Sequence, residues 1–85
     1  MTEITTSVTV RVNAIERKLA HGTTCRDLVA ATTGRVVGDD GRSADGTGLG
    51  VALAVDGVVV PRGAWAATPL RTGDAVEIVT AVQGG

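Results

Sequence analysis

Aromatic side chains are almost missing from this sequence. Trp65 stands alone, with no Tyr and no Phe, so a core built from this chain must be aliphatic. Cysteine is equally scarce. Cys25 is the only one, which excludes an intrachain disulfide and any Cys-based metal site; one free thiol suits a reducing compartment. An excess of one charge sign is also lacking. Eight basic and nine acidic residues give a net charge of −1, without the basic surplus by which proteins meet nucleic-acid phosphates. No apolar run approaches membrane-spanning length. No basic segment followed by an apolar run opens the chain, so no signal peptide is expected and the expected location is the cytoplasm. What remains is 85 residues, 44% of them apolar. That is enough for one domain, residues 1–85, with one modest core.

The apolar residues are patterned. Thr5 to Asn13 alternates, with Val8, Val10 and Val12 on one face and Ser7, Thr9 and Arg11 on the other. Period two with β-branched residues predicts a half-buried strand. Asn13-Ala14 suits a tight turn, and Ile15 to Ala20 a second strand with Ile15, Arg17 and Leu19 on one face. After His21-Gly22, Thr23 or Thr24 can cap a helix. Cys25, Leu28, Val29 and Thr32 give that helix one apolar stripe, and Gly34 is its stop.

Gly34 to Gly50 holds six glycines and three aspartates, Asp39, Asp40 and Asp45. A segment this long without pattern predicts a mobile loop over 34–50. Val51 to Val55 then alternates, Asp56-Gly57 is a hairpin signal, and Val58 to Pro61 returns as a short strand, because Pro61 cannot donate to a ladder. Arg62 to Leu70 suits turns and one short helical piece. Ala75 to Val82 is the last strand, with Val76, Ile78 and Thr80 on one face and Glu77, Val79 and Ala81 on the other. This order predicts an α+β domain in which one main helix packs across a mixed sheet. Its compact solution is the β-grasp, or ubiquitin-like, fold, with the last strand beside the first.

Few residues offer chemistry. Cys25 falls in the helix stripe, where a small core residue is the simpler assignment. His21 has no Cys, Ser or Asp partner at a suggestive spacing. Gly46-Thr47-Gly48-Leu49-Gly50 lacks the flanking strand and helix of a phosphate loop. The three loop aspartates do not follow calcium-loop spacing, and no metal site is expected. The sequence ends Val82-Gln83-Gly84-Gly85. Two side-chain-free residues before a carboxylate can enter a channel too narrow for others, and a carboxylate so delivered can be activated by a partner that holds ATP. Glycine-rich tails also occur without function.

The segment Gly73 to Gly85 resembles the C-terminus of the ThiS family of sulfur carriers. Ala54 to Arg62 resembles that family's hairpin, Trp65-Ala66 through Pro69-Leu70 its following segment, and Gly22-Thr23-Thr24 through Leu28-Val29 its helix start. The loop at 34–50 has no clear counterpart. The resemblance implies a carrier without a reaction or resident cofactor of its own. It implies three partners: an ATP-using, E1-like adenylyltransferase, a persulfide sulfur donor, and a thiazole synthase of the thiamine pathway. Gly85 would be adenylated and carry the thiocarboxylate. Gly84 would pass the partner's channel, with Gln83 and Val82 as a flexible leash over 82–85. Ala52, Ala54, Val58, Val79 and Ala81 are the expected docking face, because small apolar side chains stand where a solvated sheet face would carry polar ones.

Alternatives stay open at this point. A carrier for molybdopterin or cysteine synthesis, or a protein-conjugating modifier, shares the Gly-Gly ending. A TGS-like binding module shares the hairpin and last strand, but its usual RNA-associated setting fits poorly with near-neutral charge.

Overall fold

Alternating valines make the first strand. In the computed structural model, which describes residues 7–44 and 50–80, β1 spans Ser7–Val12. Val8, Val10 and Val12 are buried, and Arg11 is exposed. Asn13 and Ala14 reverse the chain with φ of 51° and 70°, the two-positive-φ geometry that matches hairpin twist. β2, Ile15–Ala20, returns antiparallel, with Val12 opposite Ile15 and Val8 opposite Leu19. The register sets Ile15, Arg17 and Leu19 on one face, as expected. Only Leu19 packs on the core, and Ile15 is exposed, because β2 is an end strand of the sheet.

Helix α1 spans Cys25–Thr33. Thr24, one of the two expected caps, starts it. Its hydroxyl accepts from the Asp27 N–H at 3.2 Å, and the Asp27 carboxylate accepts from the Thr24 N–H at 3.0 Å. This reciprocal box satisfies two orphan donors of the first turn. Cys25, Leu28 and Val29 are fully buried. Thr32, expected in the same stripe, is exposed. The buried contacts of this helix end near Val29, and its last turn extends beyond them. Thr33 donates its hydroxyl back to the Val29 carbonyl. Gly34, at φ 71°, closes the helix with its N–H on the Ala30 carbonyl.

Within the segment expected as a mobile loop, residues 36–44 form a small hairpin, so that stretch is not structureless. Val37 bridges Ser43, the Gly38 N–H donates to the Arg42 carbonyl, and the Ala44 N–H to the Val36 carbonyl. Val37 and Ser43 are buried. Gly41 seats the hairpin. It has φ 78°, and a Cβ there would meet the Arg62 Cγ and lie 2.5 Å from the Arg62 carbonyl oxygen. Only glycine permits that approach. Residues 45–49 lie outside the described residues.

β3, Val51–Val55, and β4, Val58–Val59, form the second hairpin. A short 3-10 helix, Arg62–Ala67, follows. Trp65 sits at its centre, 1% exposed, and its ring N–H donates to the Val60 carbonyl at 2.9 Å. The lone aromatic residue is therefore central to the core rather than at its edge. β5 spans Ala75–Thr80.

The five strands form one mixed sheet in the order β2-β1-β5-β3-β4. β5 runs parallel to β1 and antiparallel to β3. The core is aliphatic apart from Trp65. It joins Val8, Val10 and Val12 to Leu53, Val76 and Ile78, under Cys25, Leu28 and Val29 of the helix. One helix packed across one face of this sheet is the β-grasp architecture the pattern predicts.

Candidate functional site

Packing the helix on one sheet face leaves the other uncovered. Which side chains it carries follows from register, because residues opposite each other share a face. Ala52 pairs with Val79, and Ala54 pairs with both Glu77 and Val59. These residues form one half of the outer face. Arg11 pairs with Glu16 and Thr9 with Lys18, and these form the other half. β5 lies between them and carries Ala75, Glu77 and Val79 outward.

The two halves differ in chemistry. On the first, Val59 is 68% and Val79 64% exposed. With Ala52, Ala54 and Glu77 they line a shallow depression of about 160 Å³. A second depression continues it past Ala52 and Val79 to Gly50 and Arg62. The Arg62 guanidinium lies over the Trp65 ring, 5.9 Å from its centroid, a cation–π arrangement that ties this rim to the core. The other half bears a larger depression of about 380 Å³, lined by Thr9, Arg11, Glu16 and residues 72–75. Its size does not make it the better site. Its backbone donors are already committed, the Thr9 N–H to Thr72 Oγ1 and the Gly73 N–H to the Thr9 carbonyl.

Ala52, Ala54 and Val79 thus share the expected face. Val58 does not. It stands opposite Val55, and that pair has the parity of the core side, where Val55 packs against the core. A two-residue Asp56-Gly57 loop pairs the residues that flank it, so its neighbour Val59 is the one opposite Ala54. Val59 is the residue of this face that the sequence reading missed, and the loop length carried the signal. Ala81, Val82, Gln83, Gly84 and Gly85 lie outside the described residues.

β5, which leads to those residues, is held from both sides. The Arg11 N–H donates to the Asp74 carbonyl and the Asn13 N–H to the Val76 carbonyl. On the opposite side the Asp56 N–H donates to the Ala75 carbonyl, and the Asp56 carboxylate accepts from the Ala75 N–H at 2.9 Å.

The other candidates fall away from this face. Cys25, the first residue of α1, is buried in the core. Desolvation first, and the nearby Asp74 charge second, push its thiol above the ordinary value, the opposite of an activated thiolate. His21 is exposed at the β2–α1 connection. Among the described residues no cluster of His, Cys, Asp and Glu is arranged to hold a metal ion, and no helix is long and apolar enough to cross a membrane.

Comparison with known proteins bears on the same elements. No curated protein matches the sequence. The chain is similar to the crystal structure of a thiamine biosynthesis protein, ThiS, from Geobacter metallireducens. The identity is 25%, with 92% of this chain and 100% of that chain covered, and the TM-score is 0.62. The family model of the ThiS family matches residues 10–85, from the middle of β1 through the Gly84-Gly85 ending. With that span matched, the chain belongs to the ThiS family.

Proposed function

We propose that this protein is a sulfur carrier for thiamine biosynthesis, acting as a co-substrate of other enzymes rather than as a catalyst. One observation carries this. The family match runs through β5 and on to Gly85, and β5 borders the exposed apolar half-face of Ala52, Ala54, Val59 and Val79.

The chemistry suits the ending. A carboxylate has a poor leaving group. An E1-like adenylyltransferase would join the Gly85 carboxylate to AMP and release pyrophosphate, which gives the acyl carbon a good one. The terminal sulfur of a persulfide would then displace AMP. Cleavage of the resulting S–S bond by a thiol would leave a thiocarboxylate on Gly85 and a disulfide on the donor. A thiocarboxylate is an anionic sulfur nucleophile at neutral pH. Carried on a folded domain, it reaches the thiazole synthase at high effective concentration. Gly84, Gln83 and Val82 would thread the partner's channel, and Ala52, Ala54, Val59, Val79 and Ala81 would seat the partner. Burial of a valine side chain is worth roughly 1.5–3 kcal/mol, so two exposed valines at the centre of such a contact can anchor it.

The test is an intact-mass measurement. The protein is incubated with an ATP-dependent adenylyltransferase of its host and a persulfide donor. The expected product has one oxygen replaced by sulfur at Gly85, and omission of the donor leaves the AMP adduct. An unchanged mass in both reactions contradicts the proposal. Isopeptide adducts on lysines would instead mark a protein-conjugating modifier.

A further inference from the structure

β1 ends at Val12, but β5 continues to Thr80. Direct pairing between them is therefore short, Arg11 with Ala75 and Val12 with Val76. Beyond it, β5 runs past the turn at Asn13-Ala14, where no strand among the described residues remains on that side. The backbone groups of Ile78 point there, by the alternation that sends those of Val76 to β1.

Asn13 fills the gap with its side chain. Its Oδ1 accepts from the Ile78 N–H at 2.9 Å, and its Nδ2 donates to the Ile78 carbonyl at 3.2 Å. Its own backbone N–H donates to the Val76 carbonyl at 2.9 Å. One primary amide thus replaces the peptide group that a longer β1 would have supplied. Both polar groups of Ile78 are satisfied by a residue 65 positions away in sequence. The turn does not require this. Positive φ at Asn13 is met equally by glycine. Asp56, the corresponding first turn residue of the other hairpin, also has φ 51° and holds Ala75 through its carboxylate. The two turns therefore grip β5 near its opposite ends, and Asn13 grips the end from which the last residues leave.

We infer that Asn13 is a positioning residue for C-terminal activation. Its amide fixes the end of β5, the strand that leads to Gly84-Gly85, without forming part of the docking face. The inference rests on the carrier function proposed above. A tail aimed wrongly still docks, because the partner holds the sheet face. It presents its carboxylate less often in reacting geometry, and small misplacements of a reacting group are costly to turnover.

The variant that isolates this role is Asn13→Gly, which keeps the turn and removes the clamp. Amide hydrogen exchange of the isolated protein is read first. Exchange at Ile78 is expected to quicken by about tenfold or more, while that at Val10 is unchanged. Adenylation kinetics with the ATP-dependent enzyme follow. The expected result is a kcat lower by at least about fivefold with KM within about twofold. Asn13→Asp retains the acceptor for the Ile78 N–H and loses the donor to its carbonyl, so its kcat should stay below wild type as well. Wild-type kcat in Asn13→Gly, or a loss confined to KM, overturns the positioning role. Absence of any adenylation of the wild-type protein overturns the carrier function instead, and unchanged Ile78 exchange in Asn13→Gly refutes the clamp whatever the partner does.

Discussion

The two halves of the outer sheet face have the same backbone and opposite side chains. Beside β2, Thr9 and Arg11 face Lys18 and Glu16, the dress of a face that meets only water. Beside β3, Ala52, Ala54, Val59 and Val79 meet the same solvent with almost nothing polar except Glu77. Strand formation does not demand the difference, since β1 and β3 both bury alternate residues. Sheet-edge protection does not explain it either. β4 is two residues long and runs into Pro61, and β2 carries Glu16, Arg17 and Lys18, both of which blunt edge pairing. What distinguishes the apolar half is its place beside the end of β5. With the carrier function proposed above, the difference would separate stability from recognition across the thickness of one sheet, and rest from contact across its width.

The comparison through the thickness gives the largest expected effect. Leu53 and Ala52 are neighbours on β3 that face opposite ways, 1% exposed and exposed respectively. Leu53→Ala should lower unfolding free energy by about 2–5 kcal/mol in a denaturant titration. Ala52→Asp should leave it within about 0.5 kcal/mol. Similar losses for the two would erase the separation.

The comparison across the width comes next. Val79→Lys should raise the KM for the adenylyltransferase about tenfold, on the order of 1.4 kcal/mol, with the fold intact by circular dichroism. Lys18→Glu, on the polar half, should change it within about twofold. Equal effects would mean that the sheet face does not choose the partner.

A smaller effect sharpens the boundary between folding and function. Thr24→Ala removes the helix cap and should cost about 1 kcal/mol of stability without altering KM, because the cap lies on the covered side. The Thr24 backbone N–H holds the Asp27 carboxyl below its ordinary value of 3.8. A lowered folded value means this contribution is complete above the unfolded value and is lost as pH falls through the folded one. Thermal melts of wild-type protein should therefore show the loss only below about pH 4, beneath the carboxylate range.

Much of this was legible because local chemistry and pattern agree. Val8, Val10 and Val12 announced β1, Thr24 and Gly34 bounded the helix, and Asp56-Gly57 marked the hairpin. Where the sequence misled, the cause was tertiary contact or hairpin register. Thr32 has stripe spacing, but the helix's contacts end before it. The residues around Gly41 read as unpatterned loop although Val37 and Ser43 pair there, because what Gly41 packs against is Arg62, far along the chain. Val58 and Val59 are equivalent by composition, and only the hairpin register separates them. The Asn13 clamp has no sequence signal beyond a turn residue, since Ile78 comes near it only after the sheet assembles.

The division of the outer face is tested most directly by mapping amide resonances of isotope-labelled protein as the adenylyltransferase is added. The account predicts that Ala52, Ala54, Val59, Glu77 and Val79 shift or broaden while Thr9, Glu16 and Lys18 do not. Perturbation centred on Thr9, Glu16 and Lys18, with the apolar half unchanged, would contradict it.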